Sequence, residues 1–411
     1  MTAHKVVLVV LDGVSDRPCT ELGGRTPLQA AHTPTLDSIA SGGICGIMDT
    51  ISPGIRPGSD TAHLSLLGYP PKKFYTGRGP LEAEGSGIHM EPGMIGFRCN
   101  FATIDRAGMI VDRRAGRIHR TEPLSISIQK GVDLSRHGVE LFFRSGAGHR
   151  AALALKGEGM GFCVSSNDPK KDGVAPLPFR ALKAAPDDAK TAMVLNDFEQ
   201  QSRAILRDHP LNRERQSSGV PPANIVLIRG AGQMGSFQPF PERYGMKGGV
   251  IAAATLIAGI GKAVGLEYIP VAGATGSADT NLPGKVEATI NALKNREFVL
   301  LNIKGADEAG HDGKALEKRA FIERVDETLA PLIDLDDCLL VVCSDHSTPC
   351  AIRDHSADPV PIVLNGEGVR VDSVKSFDEI SCAHGGLHRI CGESLMPIII
   401  DLVDRAHKYG A

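Results

Sequence analysis

Short apolar runs rich in β-branched residues recur along the chain and show no alternation of polar and apolar positions. A run of this length and character is typical of a strand that is buried on both faces, as in a parallel sheet. The predicted strands are His4–Leu11, Asn224–Ile228, Glu297–Ile303, Cys338–Cys343, Val360–Leu364 and Met396–Asp401.

Segments with a helical pattern lie between these runs. The predicted helices are Thr35–Ser41, Thr61–Leu67, Lys247–Val264, Lys285–Leu293 and Gly313–Ile333. The alternation predicts an α/β fold, in which a mainly parallel sheet carries helices on both faces. Ligands bind such sheets at the carboxyl ends of the strands, so polar residues that directly follow predicted strands are candidates for a functional site.

The stretch 80–222 differs from its flanks in having more glycine and proline, shorter apolar runs and many arginines. We expect an inserted, smaller α+β cap domain there, with 1–79 and 223–411 forming one discontinuous catalytic domain. Hinges are predicted near Gly77–Pro80 and Ser217–Pro222, where they would allow the insert to close over an active site.

Size and charge narrow the classes of partner. A chain of 411 residues is long enough for two domains. Its net charge is -3 and it has no Trp, so neither a basic field nor stacking surfaces predict a nucleic-acid partner. Val250–Gly261, the longest apolar stretch, is shorter than the roughly 20 residues that span a membrane.

The cysteines and the N-terminal residues indicate a compartment. The nine cysteines are scattered and form no CxxC pair, which predicts free thiols in a reducing environment. The first residues, MTAHKVVLVVLDG, lack a signal-peptide pattern. We therefore expect a cytoplasmic protein, whose oligomeric state the sequence leaves open.

Carboxylates and histidines that could bind metal ions fall in four clusters far apart in the chain. The candidates are Asp12, Asp307, His311, Asp345, His346 and His355. Carboxylates with neutral imidazoles suit borderline divalent ions such as Mn²⁺ or Zn²⁺. Each cluster taken alone also fits a helix cap or a surface turn. Three clusters follow predicted strands, and this shared position favours a metal site.

Ser59 lies in the glycine-flanked segment PGSDTAHL, just before a predicted helix. Free N–H groups at a helix N-terminus favour a phosphate, and a divalent ion can help to ionise a serine hydroxyl. The alternative is a plain helix cap. With two metal ions, the serine predicts phosphoryl or sulfuryl transfer through a covalent intermediate.

Three glycines, Gly230, Gly232 and Gly235, match the spacing of a dinucleotide-binding loop after a predicted strand. The next residues, SFQPFPERYG, contain two prolines and do not open a helix, and no acidic residue follows at the usual offset. We therefore predict no NAD site, and interpret the glycines as a turn near the domain boundary.

In this order, these motifs resemble the alkaline phosphatase superfamily, and more closely the cofactor-independent phosphoglycerate mutases of the shorter, archaeal type. The resemblance covers nearly the whole chain. It rests on the segments VVLVVLDGVSDRP, TPLQAAHTPTLDSIASGG, PGSDTAHLSLLGY, YTGRGPLEA, GATGSADTN, NIKGADEAGHDG, VVCSDHSTPC, RDHSADPVP and AHGGL.

The resemblance implies two divalent metal ions and no 2,3-bisphosphoglycerate cofactor. Mn²⁺ is favoured, with Zn²⁺, Co²⁺ and Mg²⁺ as alternatives. The implied ligands are Asp12, Ser59, Asp345 and His346 for one ion, and Asp307, His311 and His355 for the other. Ser59 is the implied nucleophile, and Lys304 is implied to hold the transferring phosphate.

The implied reaction converts 3-phosphoglycerate to 2-phosphoglycerate through a phosphoserine. Candidate substrate ligands in the cap domain are Arg113, Arg114, Arg150 and Asp168. A phosphatase or another phosphomutase of the same superfamily would share the serine and both metals, and would differ in substrate or in the exclusion of water. A binding protein with purely structural metals is disfavoured, because the ligand set is complete.

Overall fold

The computed structural model describes residues 4–410 and divides them into two units. The first unit comprises the residues up to Phe74 and those from Phe237 onward. The second unit is Tyr75–Ser236.

Thirteen strands are found within residues 4–410. They are β1 (Lys5–Leu11), β2 (Ile44–Asp49), β3 (Ile95–Ile104), β4 (Ile110–Asp112), β5 (Glu140–Ser145), β6 (Arg150–Lys156), β7 (Ile225–Gln233), β8 (Gly248–Ile251), β9 (Glu267–Tyr268), β10 (Phe298–Ile303), β11 (Cys338–Cys343), β12 (Val360–Asn365) and β13 (His388–Cys391).

The same residues form fourteen α-helices and several short 3₁₀ turns. The helices are α1 (Pro27–Ala30), α2 (Pro34–Ser41), α3 (Ser59–Leu66), α4 (Pro71–Phe74), α5 (Gly79–Gly85), α6 (Glu122–Gly131), α7 (Pro186–Arg207), α8 (Pro210–Ser217), α9 (Phe240–Tyr244), α10 (Thr255–Ala263), α11 (Leu282–Ala292), α12 (Gly305–Asp312), α13 (Ala315–Leu329) and α14 (Leu395–Leu402). The 3₁₀ turns are Thr20–Leu22, Ala115–Arg117, Ser135–His137, Ala330–Leu332, Cys382–His384 and Gly392–Ser394.

Over the described part of the first unit, eight strands form one sheet in the order β13-β2-β12-β11-β1-β10-β8-β9. Neighbouring strands are parallel except at β12, which runs antiparallel to both β11 and β2. The register pairs Leu11 with Ile303 and Val10 with Cys343. The carboxyl ends of β1, β10 and β11 therefore lie at one edge of the sheet, next to one another.

Apolar residues of β1 are buried on both faces of this sheet. Val7 and Val9 belong to one core cluster with Leu36 of α2, Val286 of α11 and Phe321 of α13. The alternate side chains of the strand are equally buried. Helices thus cover the sheet as the uninterrupted apolar runs require, and the predicted α/β fold is confirmed.

In the second unit, β4, β3, β6 and β5 form an antiparallel sheet in that order, and β7 also pairs antiparallel with β3. Helices α6 and α7 pack on it. The core cluster includes Leu124 and Ile128 of α6 and Phe198 of α7, with Phe101 and Phe143 from the strands. This unit is therefore of the α+β type.

Two predicted elements are wrong. Met396–Asp401 is part of helix α14 and not a strand. Lys247–Val264 is not one helix, because it contains strand β8, which pairs with β10, before helix α10. Both errors have one cause, since a short apolar run has the same composition in a buried strand as in a buried helix.

The predicted strand Asn224–Ile228 belongs to a different sheet from the one expected. It lies in β7 and pairs with β3, which belongs to the second unit. That unit is Tyr75–Ser236, whereas the predicted insert was 80–222. The pairing of two strands depends on contacts between residues that are distant in sequence. The local composition of Asn224–Ile228 therefore does not show with which strand it pairs.

Two further observations concern membranes and thiols. Within residues 4–410, no helix combines the length and the apolar character that crossing a bilayer requires. All nine cysteines lie in this range as free thiols, and Cys391 is the exposed one.

The central position of β1 gives a prediction about stability. Leu8 is fully buried in β1, whereas Leu316 on α13 is 53% exposed. We expect Leu8→Ala to lower the free energy of unfolding by about 2–5 kcal/mol, since it leaves a cavity, and Leu316→Ala to change it by less than about 0.5 kcal/mol. Urea denaturation measures both, and equal losses would contradict the assigned core.

Candidate active site

Three carboxylates gather at the strand ends of the first unit. Asp12 follows β1, Asp345 follows β11, and Asp307 lies in the first turn of α12 after β10. All three are at least 95% buried. The ammonium group of Lys304 lies between two of them, 2.9 Å from Asp12 Oδ1 and 2.6 Å from Asp307 Oδ2.

The candidate ligands form two overlapping groups. In the first ligand group, side-chain atoms of Asp12, Asp345 and His346 lie within 4.8 Å of one another, and in the second those of Asp307, His346 and His355 do so. His346 thus belongs to both groups, whereas the family resemblance implied that it binds one of the two ions. The imidazole rings of His346 and His355 are stacked, with centroids 3.6 Å apart.

Ser59 and His311 lie beside these groups. The Ser59 hydroxyl is 3.1 Å from His346 Nε2, which places it beside the residue that both ligand groups share. His311 Nε2 is 3.4 Å from Asp307 Oδ1, so His311 adjoins the second group without belonging to its compact set. The seven predicted metal ligands are therefore close together in the structure.

The segment around Ser59 is shaped to start a helix at this residue. Gly58 is the N-cap of α3, and its N–H donates to the Thr61 hydroxyl at 3.1 Å. A Cβ at Gly58 would meet Asp60 Oδ1, so a larger residue would displace the Asp60 carboxylate. Ser59 itself is 8% exposed at the positive end of the helix dipole.

Backbone carbonyls orient two of the histidines. His355 Nδ1 is 2.8 Å from the Pro57 carbonyl, and His311 Nδ1 is 3.0 Å from the Arg353 carbonyl. A carbonyl only accepts hydrogen bonds, so each Nδ1 carries a proton and each Nε2 is turned towards Asp307, where its lone pair would be available to a metal ion. This arrangement is typical of histidines that bind metal ions.

The buried charges fit divalent cations. Burial, followed by the neighbouring Asp345 carboxylate, raises the pKa of Asp12. Burial alone would raise the pKa of Asp307 too, but the Lys304 ammonium holds that pKa well below its ordinary value. Asp345 Oδ2 is buried and accepts no hydrogen bond within residues 4–410, although His346 Nε2 is only 3.1 Å away. Three carboxylates and one ammonium leave an excess of negative charge that such cations would neutralise.

Two residues that the sequence analysis missed support this site. His63 Nδ1 lies 2.7 Å from the Ser59 carbonyl, and Asn302 Nδ2 donates to Asp12 Oδ2 at 3.1 Å and lies 3.2 Å from His63 Nε2. Both side chains are fully buried. The sequence did hold a sign of each residue. His63 follows Ser59 by one helical turn, and Asn302 is a polar residue within an apolar strand.

In the second unit, the predicted ligands Arg113 and Asp168 bind each other. Arg113 donates to both oxygens of Asp168, at 3.0 and 2.8 Å, and Arg229 donates to Oδ2 at 3.0 Å. Burial would raise the pKa of Asp168, but the hydrogen bonds from Arg113 lower it below the ordinary value. Asp168 therefore orients the two guanidinium groups.

Arg98 on β3 is a further cation that the sequence analysis did not select. Its side chain is 20% exposed, its Nε has no hydrogen-bond partner within residues 4–410, and Glu82 is 3.7 Å away. Burial, and then the charges of Arg78, Arg229 and Arg150, lower the pKa of Arg98 to about 9. Positive charge in excess of the nearby carboxylates is typical of an anion-binding site.

The same positive region includes the other two predicted arginines. Burial, and then Arg150, Arg114 and Arg98, lower the pKa of His149 to about 4. Arg114 and Arg150 are both exposed. We refer to the following residues as the arginine cluster: Arg78, Arg98, Arg113, Arg114, Arg150 and Arg229.

Comparisons with known proteins agree with this chemistry. A model of the metalloenzyme superfamily matches residues 4–402. A protein of Methanoculleus marisnigri named 2,3-bisphosphoglycerate-independent phosphoglycerate mutase is 64% identical over 100% of both chains. The chain belongs to this mutase family. A Methanocaldococcus jannaschii protein named 2,3-bisphosphoglycerate-independent phosphoglycerate mutase 1 is 48% identical, again over 100% of both chains.

Solved structures support the family assignment. The cofactor-independent phosphoglycerate mutase of Thermoplasma acidophilum is 38% identical, with a TM-score of 0.71 over 98% of this chain and 100% of that one. A protein from Pyrococcus horikoshii is 35% identical, with a TM-score of 0.85 over 100% of both chains. The family predicted from the sequence motifs is thereby confirmed.

The charge excess predicts how this mutase-family chain responds to metal. Mn²⁺ should stabilise metal-stripped protein, by about 2.7 kcal/mol at a concentration 100-fold above its Kd. Asp345→Asn should lose most of that gain, because it removes a charged oxygen of the first ligand group. Thermal unfolding with and without Mn²⁺ measures both effects.

The control for this substitution is Asp334→Asn, which changes an exposed carboxylate outside the ligand groups. It should keep the full metal-induced stabilisation. A gain that is unchanged in Asp345→Asn would contradict the assignment of the first ligand group.

Proposed function

We propose that this chain interconverts 3-phosphoglycerate and 2-phosphoglycerate without 2,3-bisphosphoglycerate, through a phosphoserine at Ser59. The observation that carries the proposal is the position of the Ser59 hydroxyl, 3.1 Å from a histidine that both ligand groups share. A serine in this setting can accept a phosphoryl group, which a purely structural metal site would not require.

In this proposal the first ligand group together with Ser59 holds one divalent ion. The second ligand group together with His311 holds the other, and Mn²⁺ is the ion we favour. When bound, the ions would supply the positive charge that lowers the pKa of the Ser59 hydroxyl and offsets charge on the phosphoryl oxygens.

Two transfers at phosphorus complete the reaction. Ser59 Oγ loses its proton and bonds to phosphorus as the bond from phosphorus to the 3-oxygen breaks, and that oxygen leaves as a hydroxyl. The 2-hydroxyl of the same glycerate then loses its proton and bonds to phosphorus as the Oγ–P bond breaks, and Oγ regains a proton, so that the serine is restored. Lys304, whose pKa is raised by Asp12 and Asp307 against the effect of burial, stays protonated and would hold a phosphoryl oxygen.

The arginine cluster would bind the anionic groups of phosphoglycerate. Guanidinium groups bind carboxylates and phosphates with two parallel hydrogen bonds, which fixes orientation as well as charge. Asp168 would keep Arg113 and Arg229 in place for this purpose. Firm binding matters, because the glycerate must be kept while its 2-oxygen replaces its 3-oxygen at phosphorus.

Ser59→Ala tests the proposed nucleophile. We expect it to fold normally and to lose mutase activity by several orders of magnitude, because no oxygen remains to accept the phosphoryl group. The assay supplies 3-phosphoglycerate and Mn²⁺ without 2,3-bisphosphoglycerate, and measures 2-phosphoglycerate and free phosphate together.

The matched control is Ser65→Ala on the same helix. Ser65 is fully buried and its hydroxyl has no hydrogen-bond partner within the described residues, so its removal should leave the activity near the wild-type level. Near-normal activity of Ser59→Ala would contradict the proposed mechanism. Free phosphate as the main wild-type product would instead indicate a phosphatase that uses the same serine.

Arg98→Gln tests the arginine cluster. Since hydrogen bonds to charged groups contribute about 1.5–3 kcal/mol, we expect kcat/KM to fall by roughly 10- to 100-fold, mainly through a higher KM. Arg213→Gln, which changes an arginine whose side chain is 68% exposed, should leave both constants unchanged. Steady-state kinetics on the three proteins decide, and an unchanged KM in Arg98→Gln would exclude the assigned role.

A further inference from the structure

The side chain of Thr348 connects the two ligand groups through its hydroxyl. Its Oγ1 donates to Asp307 Oδ1 at 2.8 Å and lies 3.0 Å from His346 Nδ1. Asp307 belongs to the second ligand group, and His346 belongs to both. Thr348 is fully buried and is not one of the predicted ligands.

The direction of these hydrogen bonds follows from the number of protons. The Asp307 carboxylate already accepts from the Lys304 ammonium at 2.6 Å and can only accept from Thr348. A hydroxyl has one proton, so Thr348 Oγ1 must accept from His346, and His346 Nδ1 must carry the proton. His346 Nε2 is then the ring atom turned towards Ser59 Oγ and Asp345 Oδ2, each 3.1 Å away, and its lone pair would be available to a metal ion.

The main chain holds the threonine in place. Its N–H donates to the Ser15 carbonyl at 3.0 Å, and its carbonyl accepts from Lys318 Nζ at 3.0 Å. Lys318 also donates to Asp16 Oδ2 at 2.8 Å, and both of these side chains are fully buried. The segment after β1 and the segment after β11 are thus held together at Thr348.

Two glycines make room for this side chain. A Cβ at Gly13 would lie 2.7 Å from Thr348 Oγ1, and a Cβ at Gly310 would lie 2.9 Å from Thr348 Cγ2. Gly13 has a φ of +66°, which favours glycine independently of space. The two glycines therefore leave space for both branches of the Thr348 side chain, with the hydroxyl next to Gly13 and the methyl group next to Gly310.

We propose that Thr348 is a positioning residue whose hydroxyl couples the two ligand groups, by fixing the tautomer of His346 and the orientation of Asp307 together. The inference rests on the metal-dependent function proposed above. Its consequence is that loss of one hydroxyl, which touches no substrate, weakens metal binding at both groups. Partners of this kind typically contribute 10- to 100-fold to metal affinity.

The test is a Mn²⁺ titration of the metal-stripped full chain, with free Mn²⁺ measured by electron paramagnetic resonance. Thr348→Val keeps the shape and removes the hydroxyl, and we expect the affinity of both sites to fall by roughly 10- to 100-fold. Thr348→Ser keeps the hydroxyl, and we expect it to stay within a few-fold of the wild type. Thr289→Val is the control, because Thr289 is equally buried and its hydroxyl donates to the carbonyl of Lys285, away from both ligand groups.

Wild-type affinity in Thr348→Val, or a loss confined to one site, would overturn the proposal. If Thr348→Val does not fold, ¹⁵N spectra of the histidines in metal-free wild-type protein at pH 8 decide instead, with the His346 signals identified by their absence in His346→Gln. A proton on Nδ1, with or without a second proton on Nε2, supports the proposal, and an unprotonated Nδ1 overturns it.

The mutase assay on the wild type separates this inference from the proposed function. An active wild-type mutase with unaltered Mn²⁺ binding in Thr348→Val would refute the role of Thr348 alone. An inactive wild type whose Mn²⁺ affinity falls in Thr348→Val would refute the mutase assignment and support the coupling.

Discussion

The structure of the first unit depends on placing three buried carboxylates side by side without enough positive charge to neutralise them. Asp12, Asp307 and Asp345 reach this position because the parallel strands β1, β10 and β11 end at the same edge of the sheet. Lys304 compensates one charge. A divalent cation would neutralise the others, and buried carboxylates without such a partner cost far more free energy than the packing of a few side chains contributes.

Many features around the carboxylates serve this arrangement. The histidine rings are turned by hydrogen bonds at Nδ1, so that their Nε2 atoms face acidic groups. The second unit shows the opposite imbalance, because the arginine cluster has more cations than carboxylates beside it. One unit thus suits metal ions and the other suits an anion, which together match a metalloenzyme that acts on a phosphorylated acid.

The strand runs were enough to predict the α/β class, and the resemblance carried by the motifs was enough to predict the family. The gathering of Asp12, Asp307 and Asp345 was predictable, because each follows a strand of one parallel sheet. The second unit was harder to predict from the sequence, since the pairing of β7 with β3 depends on contacts between residues that are distant in sequence. For the same reason Arg98 could not be distinguished from its many arginine neighbours until the strands placed Arg229 opposite it.

The central claim, that Ser59 carries the phosphoryl group during turnover, has one direct measurement. Metal-loaded protein is mixed with 3-phosphoglycerate and quenched in acid within the time of a turnover, and its peptides are mapped by mass spectrometry. The account predicts phosphate on the peptide that contains Ser59, assigned to that residue and absent without substrate. Phosphate on another residue, or rapid turnover with no phosphorylated peptide, would contradict it.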